Sequence, residues 1–386
     1  MMRPAIEKFR ILFLGSQMEV AGAQRSMLAQ ARWFHHQGYP VQAVFFYDKQ
    51  GLQPGWQAAN PFPVISLDGW NPAGPMLFNI PRLLRGLTGL FLLLRQDIRA
   101  VVTFTPHSNL LGLPLAWVAG VPLRIGTHHG FIEGSSGLMD WLHGKLTNSR
   151  LSSIMVAVST QVRDYAIKRE KARENRLVVI QNGIEPLTKR SKPRATVRKE
   201  IGLSAESLML LTVGRLTIQK GHAVLLEAIA QLAPAYPRAQ FAFAGDGPLR
   251  PSLQIQADRL GIGNRVHFLG VQEDVASLLF ASDVFVQPSL WEGLSLALLE
   301  ALFAGVPVVA TRVEGVVDVV EDEKSALLVA PGEVDPLAAA LVRVIDDRGL
   351  RTRIARAGQD RAEKNFGIDK MCRAYEGLMQ GLLDGA

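Results

Sequence analysis

The chain has 386 residues, 48% of them apolar and 20% charged, a globular composition too long for one ordinary core, so two domains are expected. Its single cysteine, Cys372, excludes an internal disulfide and fits a reducing compartment. The net charge of +7 divides unevenly, +10 over residues 1–190 and −3 over residues 191–386; the basic half fits an anionic partner such as a membrane surface, a lipid phosphate or an acidic glycan, and equally fits plain solubility.

The opening MMRPAIEKFRILFLG carries charges where an export signal needs its apolar stretch, so no export signal is read. Strands are then expected at RILFLG (10–15), VQAVFF (41–46), PVISL (63–67), AVVTFT (100–105), LRIGTH (123–128), IMVAVS (154–159) and LVVIQN (177–182). Helical patterns lie between most of them, for example Gln24–Gln37 and Pro81–Gln96. Ala100 to Leu123 has no charged residue and the length of a membrane span, yet its prolines, glycines, His107 and Asn109 divide it into strand, loop, helix and turn. The charged stretch 185–207, with Pro186 and Pro193, marks a domain boundary. The scheme then repeats, with strands at LMLLTVG (208–214), AQFAFAG (239–245), VHFLG (266–270), VFVQP (284–288), VPVVAT (306–311) and ALLVA (326–330), and consecutive helices from Asp335 onward. Continuous apolar strands separated by helices mean parallel sheets covered on both faces, hence two Rossmann-like α/β domains.

Parallel sheets bind ligands at the carboxyl ends of their strands. In the second half those positions are Gly214-Arg215 with Lys220 beyond, Gly245-Asp246-Gly247, Leu269-Gly270, and Trp291-Glu292-Gly293-Leu294-Ser295. The last leads into an apolar helix, read as 294–304, that starts near Leu294 or Ser295 and carries a second carboxylate, Glu300. A helix start offers unpaired N–H groups to a phosphate, and Gly293 would let a ligand approach them. Glu300 inside an apolar helix needs donors, which a ribose diol supplies; pairing with an arginine would serve as well. Arg215 and Lys220 can neutralise a diphosphate without a metal, or can be two solvated surface charges. There is no Asp-x-Asp, no P-loop and no HExxH or cysteine cluster, so zinc and a metal-held diphosphate are not expected. In the first half, Gly22 opens a helix after the first strand. His128 and His129 end a strand on opposite sides; a ligand-positioning role is read for His129 and a hydrogen-bonded structural role for His128.

These motifs resemble the retaining glycosyltransferases of family GT4, which have the GT-B fold. The resemblance rests on SLWEGLSLALLEALFAGVPVVAT with GRLTIQKG upstream, and on GDGPL, VHFLG, VIQNGI and AVS in matching order. It covers almost the whole chain and is strongest from 177 to 332. It implies two Rossmann-like parallel-sheet domains facing a central cleft: an acceptor domain over 1–188, onto which a last helix at 366–386 crosses back, and a donor domain over 200–365. The implied reaction is metal-independent hexosyl or hexosaminyl transfer, with no cofactor, from a nucleotide-diphospho-sugar, UDP rather than GDP, to a hydroxyl of a cell-envelope or lipid-linked glycan.

The resemblance assigns Arg215 and Lys220 to the diphosphate, Glu300 to the ribose and Glu292 to the region of the donor sugar. Gly293, Leu294 and Ser295 match backbone donors, His129 the first-domain histidine near the sugar, and Gly22 the loop near the diphosphate; Gly214, Gly245, Leu269 and Gly270 join the donor set. The family's Gly-Gly-x-Glu reads Ala21-Gly22-Ala23-Gln24 here, which departs from the pattern in a loop tied to acceptor binding. The expected location is cytoplasmic, with peripheral association at the inner face of an anionic membrane, and no nucleic-acid partner is expected. The other readings are a GT-B epimerase of nucleotide sugars, a Rossmann oxidoreductase, disfavoured by the missing GxGxxG, and a non-catalytic glycan- or nucleotide-binding protein.

Overall fold

The computed structural model describes residues 8–130, 137–187 and 191–385. Residues 1–7, the first part of the segment read for an export signal, residues 188–190 of the expected boundary, and Ala386 lie outside them. The chain divides into two compact units, residues 184–367 and the remainder, with the division at 183/184 and 367/368 where the sequence reading put limits at 188, 200 and 366.

The first unit is built on β1 (Arg10–Met18), β2 (Val41–Asp48), β3 (Val64–Ser66), β4 (Ile98–Thr103), β5 (Leu123–His128), β6 (Ile154–Ala157) and β7 (Leu177–Val179). They form one parallel sheet in the order β3-β2-β1-β4-β5-β6-β7. Strand alternation decides the cores: Ile11 and Phe13 of β1 enter one apolar cluster, Leu12 and Leu14 the other, so both faces are covered. The last helix, Ile368–Asp384, belongs to this unit and packs on helix Gly22–His36; Trp33 Nε1 donates to Asp369 at 2.5 Å and the Tyr39 hydroxyl to Glu376 at 2.8 Å.

The uncharged stretch from Ala100 to Leu123 is the end of β4, a helix Pro106–Val118 capped by Thr105 and Ser108, and the start of β5. The helix read as Pro81–Gln96 instead runs Met76–Leu94, with Pro81 inside it. Proline favours a first turn, which places a sequence-based start too late here. The true start is fastened from outside: the Asn79 amide accepts from the Asn71 N–H at 2.8 Å and donates to the Asn71 carbonyl at 3.0 Å.

The second unit is built on β8 (Leu208–Val213), β9 (Ala239–Ala244), β10 (Val266–Gly270), β11 (Val284–Gln287), β12 (Val308–Thr311) and β13 (Leu327–Val329). They too form a parallel sheet, in the order β10-β9-β8-β11-β12-β13. In each unit the strand order reverses beside the first strand, between β1 and β4 and between β8 and β11. That is the Rossmann arrangement, and its switch point is where such sheets leave a crevice at their carboxyl ends.

Candidate functional site

The loops at the β8/β11 switch point are sewn together by short bonds. After β8 the chain passes Gly214 and Arg215, makes a single turn Ile218–Lys220, and enters helix His222–Leu232 through Gly221 at φ +63°. A Cβ on Gly221 would sit 2.0 Å from the Pro288 carbonyl oxygen, so only glycine lets the two loops touch there. The Leu290 N–H donates to the Gln219 carbonyl at 2.7 Å, and the Gln219 side-chain amide donates to the Trp291 carbonyl at 3.1 Å.

This stitching holds a charged pair across the crevice. Lys220 Nζ lies 2.5 Å from Glu292 Oε1, which also accepts the Ser289 hydroxyl at 2.7 Å. Glu292 is 4% exposed and Ser289 fully buried, so the carboxylate has exchanged water for two donors. The chain then enters helix Leu296–Phe303, one or two residues later than expected. Ser295 is its cap: the hydroxyl accepts the Leu298 N–H at 3.3 Å and donates to Gln287 Oε1 at 2.8 Å. Gly293 and Leu294 therefore sit in the loop, not in the first turn. Among the described residues, the N–H groups of Gly293, Leu294 and Ser295 donate to no protein acceptor. Glu300, buried on this helix, lies just over one turn in.

The remaining donor candidates sort into two kinds. Gly214, Gly245 and Gly270 meet at the ends of β8, β9 and β10: the Gly245 N–H donates to the Gly270 carbonyl at 2.8 Å, and a Cβ on Gly245 would meet the Gly214 carbonyl at 2.0 Å. Next to them the Leu269 carbonyl accepts from the Gln272 side chain at 2.8 Å. Arg215 is exposed and, among the described residues, makes no ion pair, so it stands outside the Lys220–Glu292 pair.

Two residues that the sequence reading passed over support the same loops. A Cβ on Gly315, at the start of the short helix Glu314–Val317 after β12, would lie 2.4 Å from the Gly293 carbonyl oxygen and 2.8 Å from that of Glu292. Its signal was a glycine at one more strand-to-helix turn. His222 is buried behind Lys220; burial and the neighbouring ammonium push its imidazole down to about 3.

In the first unit, Gly22 begins helix Gly22–His36, whose cap position, Ala21, offers no side-chain acceptor. His129 follows β5 and its ring stacks on Phe104, with centroids 5.3 Å apart at 26°. Its Nε2 is shielded and, among the described residues, has no hydrogen-bond partner, and burial pushes the imidazole down to about 4. His128 is buried in different surroundings, beside His143 and Glu170, and its Nε2 likewise makes no hydrogen bond where one had been expected. Burial lowers the pKa of His128 and His143 and raises that of Glu170.

Each unit is thus a parallel sheet of Rossmann order, and in the second a helix start with unpaired N–H groups lies at the switch point. Residues 193–361 match the model of glycosyl transferases group 1, and residues 21–183 that of the glycosyl transferase 4-like domain. The UDP-Gal:alpha-D-GlcNAc-diphosphoundecaprenol alpha-1,3-galactosyltransferase of Escherichia coli is 30% identical over 280 residues, 69% of this chain and 72% of that protein. The lipopolysaccharide core biosynthesis glycosyltransferase LpsE of Rhizobium meliloti is 34% identical over 185 residues, 48% of this chain and 53% of that one. Among solved structures, Anabaena HepE in complex with UDP-glucose superposes with a TM-score of 0.84 at 23% identity, over 98% of this chain and 100% of that one. The chain belongs to the glycosyltransferases of family GT4, and its fold is GT-B.

Two outcomes are expected from this geometry. Gly315→Ala should strain the Glu292–Gly293 loop and lower the unfolding free energy by about 1–3 kcal/mol, read by urea titration. His222 is neutral when folded; the unfolded chain takes up a proton below about pH 6.5 and the folded one only near pH 3, so stability is lost as pH falls through that window. His222 alone should remove about 2 kcal/mol between pH 7 and pH 5, and His222→Leu should abolish that share of the slope.

Proposed function

We propose that the protein is a retaining glycosyltransferase that moves a sugar from a nucleotide-diphospho-sugar, a UDP-sugar by preference, to a hydroxyl of a cell-envelope or lipid-linked glycan. The observation that carries this is the Lys220–Glu292–Ser289 assembly at the start of helix Leu296–Phe303, beside three N–H groups with no protein acceptor. Free N–H groups at a helix start suit a phosphate, and Lys220 adds the cation that a departing diphosphate needs. Buried Glu300 suits a ribose diol. The name of the E. coli relative specifies UDP-Gal and a diphosphoundecaprenol acceptor, and the HepE structures contain UDP and UDP-glucose; both support this choice of donor and acceptor class.

In this reading the bond from the anomeric carbon to the diphosphate breaks while the acceptor oxygen bonds to the same face. The acceptor's proton passes to a diphosphate oxygen, so no protein base is required. The chain's work is orientation and stabilisation of the leaving group, with no resident metal in the reaction. Lys220 must be shared between Glu292 and the diphosphate, and the pair keeps it aimed across the switch point beforehand. Arg215, exposed after β8, is the second cation. Glu292 lies toward the sugar.

Mass spectrometry of a sugar-nucleotide panel should find free UDP only when donor and acceptor are both supplied, and NMR of the product should show the donor's anomeric configuration retained. Conversion of the sugar nucleotide without an acceptor would sink this reading. Lys220→Ala and Glu300→Ala should each lower turnover by tens- to hundreds-fold, about 2–4 kcal/mol of barrier, with thermal unfolding confirming the fold. Adding Mg2+ or Mn2+ should leave the rate unchanged.

The location proposed is the inner face of the cytoplasmic membrane, held peripherally. Among the described residues one helix, Met76–Leu94, is long and apolar enough to cross a membrane. It exposes Met76, Leu77, Phe78 and Leu84, and with Arg82, Arg85 and Arg95 it suits lying on an anionic surface. The protein should sediment with anionic liposomes at low salt and not with zwitterionic ones, and Leu77→Glu with Phe78→Glu should abolish sedimentation.

A further inference from the structure

We propose that His128 Nε2, His143 Nδ1 and the Glu170 carboxylate bind a divalent cation of the zinc class, buried within the first unit and distinct from the donor residues. The three side chains come from separate places: the end of β5, the helix Gly137–Asn148, and the turn after helix Thr160–Lys168. One potential ligand atom from each lies within 4.8 Å of the other two. His128 Nε2 is 3.4 Å from Glu170 Oε2, and His143 Nδ1 is 3.8 Å from Glu170 Oε1. A tetrahedral ion with bonds of about 2.0–2.2 Å sets its ligand atoms about 3.3–3.6 Å apart, so small side-chain movements would complete the shell.

Hydrogen bonding explains this cluster poorly. The side chains of His128, His143 and Glu170 are 3%, 0% and 0% exposed. Yet among the described residues His128 Nε2, His143 Nδ1 and both Glu170 oxygens have no hydrogen-bond partner. Four such atoms facing one another are costly to bury, and one cation satisfies them together. The tautomer is already suited to it: His143 Nε2 lies 3.3 Å from the Pro106 carbonyl, so it carries the proton and leaves Nδ1 as a lone pair aimed at Glu170. A second ring nitrogen tied to a backbone carbonyl is the usual support of a metal-bound histidine. Asp140, buried one turn before His143, adds negative charge beside the cluster.

The backbone is shaped for the approach. A Cβ on Gly144 would lie 1.7 Å from the Glu170 carbonyl oxygen, so glycine alone lets this helix rest on the Glu170 turn with His143 alongside. Two imidazoles and one carboxylate favour Zn2+ or Co2+ over Mg2+ or Ca2+. The ion would pin the end of β5 one residue before His129, a structural part distinct from the transfer reaction.

The test is made on the full chain, stripped of metal, reloaded with Zn2+ and dialysed against a weak chelator. Elemental analysis should find about one zinc per chain, and Co2+ loading should give the visible d–d bands of a four- or five-coordinate site. His143→Ala and Glu170→Gln should each weaken zinc binding by about a hundredfold or more, and Zn2+ should raise the melting temperature of the wild type but of neither variant. His35→Ala with His36→Ala, on the end of another helix, should leave the stoichiometry unchanged. Trace zinc in the reloaded wild type, no d–d bands and an unmoved melting temperature would overturn the proposal without reliance on either cluster variant folding. Loss of zinc with the His35/His36 variant would overturn it too.

Discussion

A carboxylate at the mouth of an apolar helix must be neutralised, and in this protein that requirement organises the second unit. Glu292 has left water almost completely and is held by one ammonium and one hydroxyl on the same oxygen. The carboxylate keeps these two donors only if the loops after β8 and β11 stay together. The glycine at 221 and the Gln219 bonds to the Leu290–Trp291 segment meet that need through the backbone. The Lys220 ammonium is therefore set at the switch point by the fold itself.

The same close fitting recurs along the carboxyl edge of the sheet. Gly245 lies against the Gly214 carbonyl, and Gly315 lies against the carbonyls of Glu292 and Gly293. Each contact removes the room a side chain would take and brings one strand-end turn onto the next. Along this edge, among the described residues, the N–H groups of Gly293, Leu294 and Ser295 donate to no protein acceptor. Backbone donors of this kind are fixed by the sheet, so their geometry is more rigid than that of long side chains.

How much of this the sequence disclosed depends on the range of the interaction. The strands were legible because each is a short apolar run bounded by turns, and burial on both faces of a parallel sheet demands that pattern. The start of helix Met76–Leu94 was not, because it depends on Asn79 bonding back to Asn71 and Gly74 across a loop, while Pro81 supplied a stronger local signal. Lys220, Glu292 and Glu300 were legible as candidates from their places after strands and on an apolar helix. That Lys220 and Glu292 hold each other was not, since 72 residues separate them and only the sheet order brings β8 beside β11. Gly315 and His222 were hidden for a like reason: what makes them matter is the neighbour each meets in space.

The pair His128-His129 carries the argument one step further. Alternation along β5 sends consecutive side chains to opposite faces, and the surroundings they meet differ sharply. His129 lies on the ring of Phe104, beside the β1/β4 switch point, as a neutral imidazole with a free nitrogen. His128 turns into the unit toward His143 and Glu170. A strand end is ordinarily the loosest part of a sheet, because its last residues have fewer neighbours on one side. Here the inward histidine packs in a buried polar cluster, and whatever steadies His128 also fixes the direction of the next Cα–Cβ bond. The contrast between two adjacent residues is thus a consequence of strand geometry: one imidazole meets a buried His/Glu cluster, and the other meets an aromatic ring.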